Sequence, residues 1–240
     1  MKYYLTSNPI DEERKILNTK NGFVESLRAN LPNKSKLLFI CSNPYTYGIT
    51  DQFGNEIKSC FIRSDFCIEQ FTILDDRNRR SAETLVQDAD CVFLAGGHVP
   101  TQNRFFAEIK LSDILRKYTD KVIIGFSAGS MNCAAEVYAQ PEEEGEAVSP
   151  SYQRFLKGLG ISKTMILPHY QAIKDGVLDG KRIFPEITYP DSMGRCFYAI
   201  NDGSYIYGNG KQELLLGEGY LIQDGTLSQI TKDGESYRIL

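Results

Sequence analysis

No stretch of the sequence holds enough consecutive apolar residues to cross a membrane, which takes about 18, and the N-terminus lacks the apolar core of a signal peptide. Basic residues form no stripe either, since 31 Asp and Glu outnumber 27 Lys and Arg and leave a net charge of −4. A surface that binds nucleic-acid phosphates needs such a stripe. We therefore expect a cytoplasmic protein that binds neither membranes nor nucleic acids.

The cysteines form no CxxC pair, and several of them lie within apolar segments. We interpret all six as reduced, buried small residues: Cys41, Cys60, Cys67, Cys91, Cys133 and Cys196. A chain of 240 residues can bury a full core without disulfide bonds. No linker-like composition divides it, so we expect a single domain that spans residues 1–240.

Short apolar runs alternate with longer amphipathic segments over the first two thirds of the chain. This alternation predicts an α/β fold with a mostly parallel sheet that is covered by helices on both faces. The predicted strands are residues 3–6, 37–41, 71–74, 91–95, 122–126 and 165–167. The predicted helices are residues 24–31, 54–62, 81–87, 101–117 and 128–139.

From about residue 196 the sequence is rich in Tyr, Ile and Leu and is interrupted by Asp-Gly and Asn-Gly pairs. Such pairs favour tight hairpin turns because both residues tolerate a positive φ. We therefore predict that residues 196–240 form an antiparallel β-meander that extends the same domain.

A GxSxG motif is centred on Ser127, where an apolar strand runs into an Ala-rich segment. Gly125 and Gly129 allow a sharp turn that leaves the serine exposed at the start of a helix, which suits a nucleophile. The amide of Ala128 would point toward a developing oxyanion. The alternative interpretation is a tight turn without chemistry.

A second glycine turn, Gly96-Gly97, ends the predicted strand 91–95 and precedes a helix that begins near Pro100. Its amides can supply a second oxyanion donor, and we favour Gly97. His98 follows directly and is a candidate for lining the substrate pocket or for a hydrogen bond to the glycine loop. A plain loop at the start of a helix is the alternative.

A serine nucleophile needs a base, and the chain has only two histidines, His98 and His169. His169 follows the predicted strand 165–167, so in a parallel sheet it would share an edge with Ser127 and Gly97. No Asp lies between Ser127 and His169, which disfavours an α/β-hydrolase. Acids that could orient the histidine come later, and they are Asp175, Asp179, Glu186, Asp191 and Asp202.

Three segments, FLAGGHVPTQ, GFSAGS and LPHYQ, resemble the dipeptidase E family of serine peptidases, to which the cyanophycinases are related. The resemblance implies a class I glutamine amidotransferase-like, flavodoxin-like fold. It also implies a Ser-His-acid triad of Ser127, His169 and Asp202, with Asp202 where the family has Glu. His98 stands where the family often has Asn.

The resemblance further implies hydrolysis of short peptides with an N-terminal aspartyl or β-aspartyl residue through an acyl-enzyme. It implies no metal and no cofactor, and a homodimer stays open. The alternative is a glutamine amidotransferase-like protein that binds a ligand without hydrolysing it. Amidotransferase chemistry itself is disfavoured, because it needs a cysteine thiolate at the position of Ser127, in the sharp turn between strand and helix that we call the elbow. The nearest cysteine after it, Cys133, lies six residues beyond Ser127. We expect residues 141–146 to form a solvated acidic loop, with binding of a substrate ammonium group as the alternative.

Overall fold

The computed structural model describes residues 1–239, and within that range it contains eighteen strands and eight α-helices. The strands are β1 (Lys2–Thr6), β2 (Ile10–Asp11), β3 (Ile16–Leu17), β4 (Lys34–Ile40), β5 (Cys67–Leu74), β6 (Cys91–Leu94), β7 (Val122–Phe126), β8 (Glu136–Tyr138), β9 (Phe155–Lys157), β10 (Met165–Leu167), β11 (Val177–Leu178), β12 (Lys181–Arg182), β13 (Cys196–Ile200), β14 (Tyr205–Gly208), β15 (Glu213–Leu216), β16 (Gly219–Gln223), β17 (Thr226–Thr231) and β18 (Ser236–Arg238). The helices are α1 (Phe23–Arg28), α2 (Tyr47–Arg63), α3 (Ala82–Asp88), α4 (Val99–Glu108), α5 (Leu111–Lys117), α6 (Ala128–Met131), α7 (Tyr170–Ile173) and α8 (Tyr189–Asp191). No α-helix in the described range is both long and apolar enough to span a membrane.

The central sheet has eight strands in the order β18-β15-β14-β1-β7-β6-β4-β5. Strands β1, β7, β6, β4 and β5 are parallel neighbours, whereas β14, β15 and β18 extend the β1 side in antiparallel fashion. Every residue of β6 is buried, and so is nearly all of β7, because both faces of the sheet are covered. The predicted α/β fold with a mostly parallel sheet is therefore confirmed.

A second sheet has the order β10-β13-β16-β17. The C-terminal strands are antiparallel as predicted, but they do not form a single meander: β13, β16 and β17 build this second sheet, while β14, β15 and β18 join the central one. The Asp224-Gly225 pair makes the expected tight turn, with φ of 48° and 76°. The prediction that the strand before His169 belongs to the central sheet is wrong, because β10 pairs with β13 instead.

The helix predicted at residues 128–139 is also wrong, since α6 ends at Met131 and β8 follows. Backbone groups after α6 bond to a later segment, with the Leu159 amide donating to the Asn132 carbonyl at 2.9 Å and the Ala135 amide donating to the Ser162 carbonyl at 2.8 Å. Tertiary pairing thus overrides the helix propensity of the alanines. The helix predicted at residues 101–117 is two helices, broken at Lys110, whose φ is 56°.

All six cysteines are free thiols. Four of them are buried and Cys196 is partly buried, but Cys67 is exposed. The prediction that all are buried is thus wrong for Cys67. This residue begins β5, an edge strand of the central sheet in which Glu69 and Gln70 are exposed as well.

A buried carboxylate joins the two sheets. Glu213, on β15, is 3% exposed and accepts hydrogen bonds from the hydroxyls of Tyr3, Ser162 and Thr164. Tyr3 belongs to β1 of the central sheet, and the other two residues precede β10 of the second sheet. Burial, followed by the hydrogen bond to Glu213, raises the pKa of Tyr3, so this phenol stays neutral and keeps donating.

Replacing this carboxylate by an amide tests its role. Glu213→Gln exchanges one acceptor oxygen for an NH₂ donor, so one buried hydroxyl loses its acceptor. We expect the free energy of unfolding to fall by about 1–3 kcal/mol, measured by urea denaturation followed by circular dichroism. Glu69→Gln, at an exposed position of β5, makes the same chemical change and should stay within about 0.5 kcal/mol of the wild type. Equal stability of the two variants would contradict the role assigned to Glu213.

Candidate active site

Ser127 lies at a sharp corner between β7 and α6, with φ of 51° and ψ of −113°. With ψ at −113° this positive φ lies outside the left-handed helical region, and a residue other than glycine keeps such a conformation only under strain that its surroundings maintain. Neither flanking glycine leaves room for a side chain. A Cβ at Gly125 would lie 2.6 Å from the Ser130 amide nitrogen, and one at Gly129 would lie 2.3 Å from the Leu94 carbonyl oxygen. The GxSxG pattern therefore forms the strained elbow that the sequence predicts.

The end of β1 holds this elbow in place. The Thr6 carbonyl accepts hydrogen bonds from the Ser127 amide at 3.1 Å and from the Ser130 hydroxyl at 2.8 Å. The Thr6 hydroxyl in turn donates to the Gly125 carbonyl at 2.6 Å. Three hydrogen bonds with Thr6 thus fix the chain on both sides of Ser127.

The second glycine turn lies against the elbow. A Cβ on Gly96 would be 3.4 Å from the Cβ of Ser127, which makes the two turns direct neighbours. Gly97 has a φ of 146°, and a side chain there would collide with Ser42. Ala128 is the first residue of α6, so its amide has no carbonyl partner within the helix. Because α6 has only four residues, its dipole is small and the individual amides supply the donors.

His169 lies immediately before α7 with a φ of 58°. Its Nδ1 is 2.8 Å from Asp202 Oδ1, which leaves Nε2 for a second partner. Ser127 and His169 line one cavity of about 240 Å³. The structure therefore brings Ser127, His169 and Asp202 to one place, although Ser127 follows a strand of the central sheet and the other two follow strands of the second sheet.

Burial by itself would raise the pKa of the Asp202 carboxyl, but hydrogen bonds from His169 and Ser7 outweigh burial and lower that pKa. Asp202 is therefore ionised at neutral pH. The other acids considered from the sequence have different surroundings: Asp179 accepts two backbone amides, Glu186 pairs with Arg182, Asp191 pairs with Arg154, and Asp175 is exposed.

Ser7, which no sequence motif singles out, is fully buried directly after β1. Its hydroxyl donates to Asp202 Oδ1 at 2.6 Å and accepts from the His169 amide at 2.7 Å. Gln171 adds a further contact, because its side-chain oxygen accepts from the Asp202 amide at 3.0 Å. The signal for Ser7 was its position, since a polar residue at the carboxyl end of a parallel strand lies on the edge where such sheets bind ligands.

His98 has two partners within the protein. Its Nδ1 lies 2.7 Å from the Thr101 hydroxyl, and its Nε2 lies 2.8 Å from Glu146 Oε1. Glu146 also accepts the amides of Glu142 and Glu143. His98 is not among the residues that line the cavity with Ser127. It therefore orders the acidic loop, and Glu142 of that loop reaches the cavity wall.

Comparison with known proteins gives one family. The model of peptidase family S51 matches residues 5–216. No curated protein matches the chain. Among solved structures, a peptidase from an acI-B1 Actinobacterium is similar with a TM-score of 0.67 and 16% sequence identity, covering 99% of this chain and 96% of its own. A "Putative Peptidase E Protein" from Listeria monocytogenes EGD-e is similar with a TM-score of 0.60 and 15% identity, covering 96% of this chain and 98% of its own. At such low identities these two structures show a shared fold.

The close approach of Gly129 to β6 can be tested by adding a methyl group. Gly129→Ala places a Cβ against the Leu94 carbonyl oxygen, a backbone atom of a buried strand. We expect a loss of about 1–3 kcal/mol or more in the free energy of unfolding, measured by thermal or urea denaturation. Gly48→Ala is the matched control, because a Cβ there meets nothing within 4 Å and lies within α2. It should be neutral or stabilising, and an equal loss in both variants would refute the steric argument.

Proposed function

The chain belongs to peptidase family S51 and is a serine-type peptidase, and we propose that Ser127, His169 and Asp202 are its catalytic triad. The observation that carries the proposal is the 2.8 Å contact between His169 Nδ1 and Asp202 at the cavity that Ser127 also lines. A base that is oriented by an acid, beside a serine on a strained elbow, is the arrangement that serine acyl transfer requires.

In the proposed reaction, Nε2 of His169 takes the proton of the Ser127 hydroxyl while the serine oxygen attacks the peptide carbonyl carbon. The amides of Gly97 and Ala128 donate to the oxyanion that forms. The C–N bond then breaks, and the leaving amine takes the proton from His169. A water molecule, activated by the same histidine, hydrolyses the acyl-enzyme and restores Ser127. No step uses a metal or a cofactor.

Asp202 holds the Nδ1 proton of His169, which fixes the tautomer with Nε2 free and stabilises the imidazolium. Ser7 acts through Asp202 and His169 as a positioning residue, because one hydroxyl contacts both of them. Both sheets contribute to this triad, which supports treating the chain as a single catalytic unit. A homodimer and a cytoplasmic location stay predictions from the sequence.

The substrates proposed are short peptides. The cavity of about 240 Å³ falls below the roughly 300–1,000 Å³ of sites for drug-sized ligands, which favours a single residue beside Ser127. The family resemblance makes peptides with an N-terminal aspartyl or β-aspartyl residue one class to assay. A ligand-binding protein without hydrolysis is the competing function, and reactivity of Ser127 separates the two.

The nucleophile is tested by labelling with a fluorophosphonate, which reacts with activated serines. We expect the wild-type protein to be labelled at Ser127, and Ser127→Ala to be unlabelled and inactive while its fold is unchanged, because only one partly exposed hydroxyl is removed. Ser59→Ala, on the exposed side of α2, is the matched control and should be labelled fully. Labelling can be followed by mass spectrometry of the intact protein. An unlabelled wild type would favour the non-catalytic alternative.

The orienting acid is tested by Asp202→Asn. An amide at this position can favour the wrong histidine tautomer, and in a Ser-His-Asp triad that change lowers kcat by about 10⁴-fold. Asn-Gly forms a tight turn at least as well as Asp-Gly, so a residue with only a turn role would tolerate the substitution. Asp175→Asn makes the same change at an exposed acid and should leave kcat near the wild-type value. Near-normal turnover of Asp202→Asn would remove Asp202 from the triad.

A further inference from the structure

The cavity beside Ser127 is lined mainly by apolar side chains. Val99 and Met131 come from the segments around the two glycine turns, and Ile173, Leu178 and Ile183 come from α7 and the region of the β11–β12 hairpin. Polar lining residues other than Ser127 and His169 are only Gln140 and Glu142 within the described chain. Most of the cavity wall thus favours an uncharged side chain on the bound ligand.

The outer wall of the cavity is a fixed structure. Asp179 lies in the turn of the β11–β12 hairpin, and its carboxylate accepts the Gly145 amide at 2.8 Å and the Ala147 amide at 2.9 Å. These hydrogen bonds attach the hairpin to the acidic loop. The apolar hairpin side chains and Glu142 are therefore held around the same space.

The described residues give the cavity no permanent positive charge. Neither Lys nor Arg is among the side chains that line it within residues 1–239. Arg182, in the adjoining hairpin, pairs with Glu186 on the surface. A carboxylate side chain bound here would lose its hydration without gaining a counter-charge, which is strongly unfavourable.

Glu142 supplies a negative charge instead. Among residues 1–239 its carboxylate accepts one hydrogen bond, from the Val99 amide at 3.2 Å, whereas the neighbouring Glu146 is occupied by His98. Although Glu142 is an exposed residue, the protein around its carboxyl group desolvates that group and raises its pKa. A cation placed beside it would relieve the cost of this partial burial.

We propose that this cavity binds the N-terminal residue of a short peptide with an apolar side chain, and that Glu142 accepts a hydrogen bond from its α-ammonium group. The inference rests on the proposed function, because it identifies the substrate class of the same site. It differs from the aspartyl preference that the family resemblance implies. The apolar wall selects the side chain, and Glu142 selects peptides with a free N-terminus.

Binding to the inactive Ser127→Ala protein tests the proposal without relying on catalysis. Isothermal titration calorimetry would compare leucyl-leucine with aspartyl-leucine, lysyl-leucine and N-acetyl-leucyl-leucine. We expect leucyl-leucine to bind at least about 10-fold more tightly than each of the others. The N-acetyl peptide loses the charge-assisted hydrogen bond to Glu142, which is worth about 10- to 100-fold in affinity. The aspartyl and lysyl peptides would have to desolvate a charged side chain against the apolar wall. Tighter or equal binding of aspartyl-leucine or lysyl-leucine would overturn the apolar specificity, and so would undetectable binding of all four.

Two substitutions in the same background locate the contacts. Glu142→Gln should weaken leucyl-leucine binding by about 10- to 100-fold, whereas Glu144→Gln, an exposed acid of the same loop, should not. Leu178→Arg should shift the preference toward aspartyl-leucine by supplying the missing cation, whereas Val148→Arg, exposed and outside the cavity lining, should not. Unchanged binding in Glu142→Gln would disprove the ammonium contact.

Failure of this inference is distinguishable from failure of the proposed function. Fluorophosphonate labelling of Ser127 reports only the nucleophile, and dipeptide binding to Ser127→Ala reports only the cavity. A labelled enzyme that prefers aspartyl peptides would keep the triad and reject the substrate class proposed here. An unlabelled protein that binds leucyl-leucine through Glu142 would keep the binding site and reject the triad.

Discussion

The close approach of the elbow backbone to its neighbours is the constraint on which the site depends. Gly129 lies against the Leu94 carbonyl and Gly125 lies against Ser130, each at a distance that no side chain would permit. This packing keeps Ser127 at a positive φ, and three hydrogen bonds with Thr6, two accepted and one donated by that residue, fix the chain on both sides. The strain at Ser127 persists because buried strands surround it, and it leaves the hydroxyl at the corner where β7 ends.

The distance between nucleophile and base depends on a different set of contacts, because they follow strands of different sheets. Ser7, at the end of β1, bonds to the backbone of His169 and to the carboxylate of Asp202. Glu213 joins the same β1 to the segment before β10 through the hydroxyls of Tyr3, Ser162 and Thr164. Strand β1 is thus the common support, since it contacts the elbow on one side and the histidine on the other. Both connections are polar, and Ser7 and Glu213 are themselves buried, so each fixes a geometry that apolar packing alone would leave less defined.

The parts of the structure that could be predicted from the sequence are those set by local patterns. The buried strand 122–126 has its predicted bounds, and GxSxG at its end forms the expected elbow, because periodicity and glycine spacing are local signals. Residues 128–139 do not form the predicted helix, because their backbone partners are near residue 160, which no local pattern reveals. For the same reason, local patterns did not predict the second sheet, the exposure of Cys67 or the contacts of Ser7. Each depends on which segments meet in space.

Family membership carries more information about the chemistry than about the substrate, because the catalytic residues and the cavity wall lie on different parts of the fold. Ser127, Gly97 and Ser7 lie within three residues of the ends of central strands, where the fold itself fixes their positions. The cavity wall, by contrast, comes from the β11–β12 hairpin and the acidic loop, which are connections and can vary without disturbing the sheet. Specificity in such a site depends on a few side chains, and exchanging one apolar residue for a cation would let the cavity accept a carboxylate side chain. The absence of Lys and Arg from the described cavity lining therefore weighs more on substrate choice than the motif around Ser127 does.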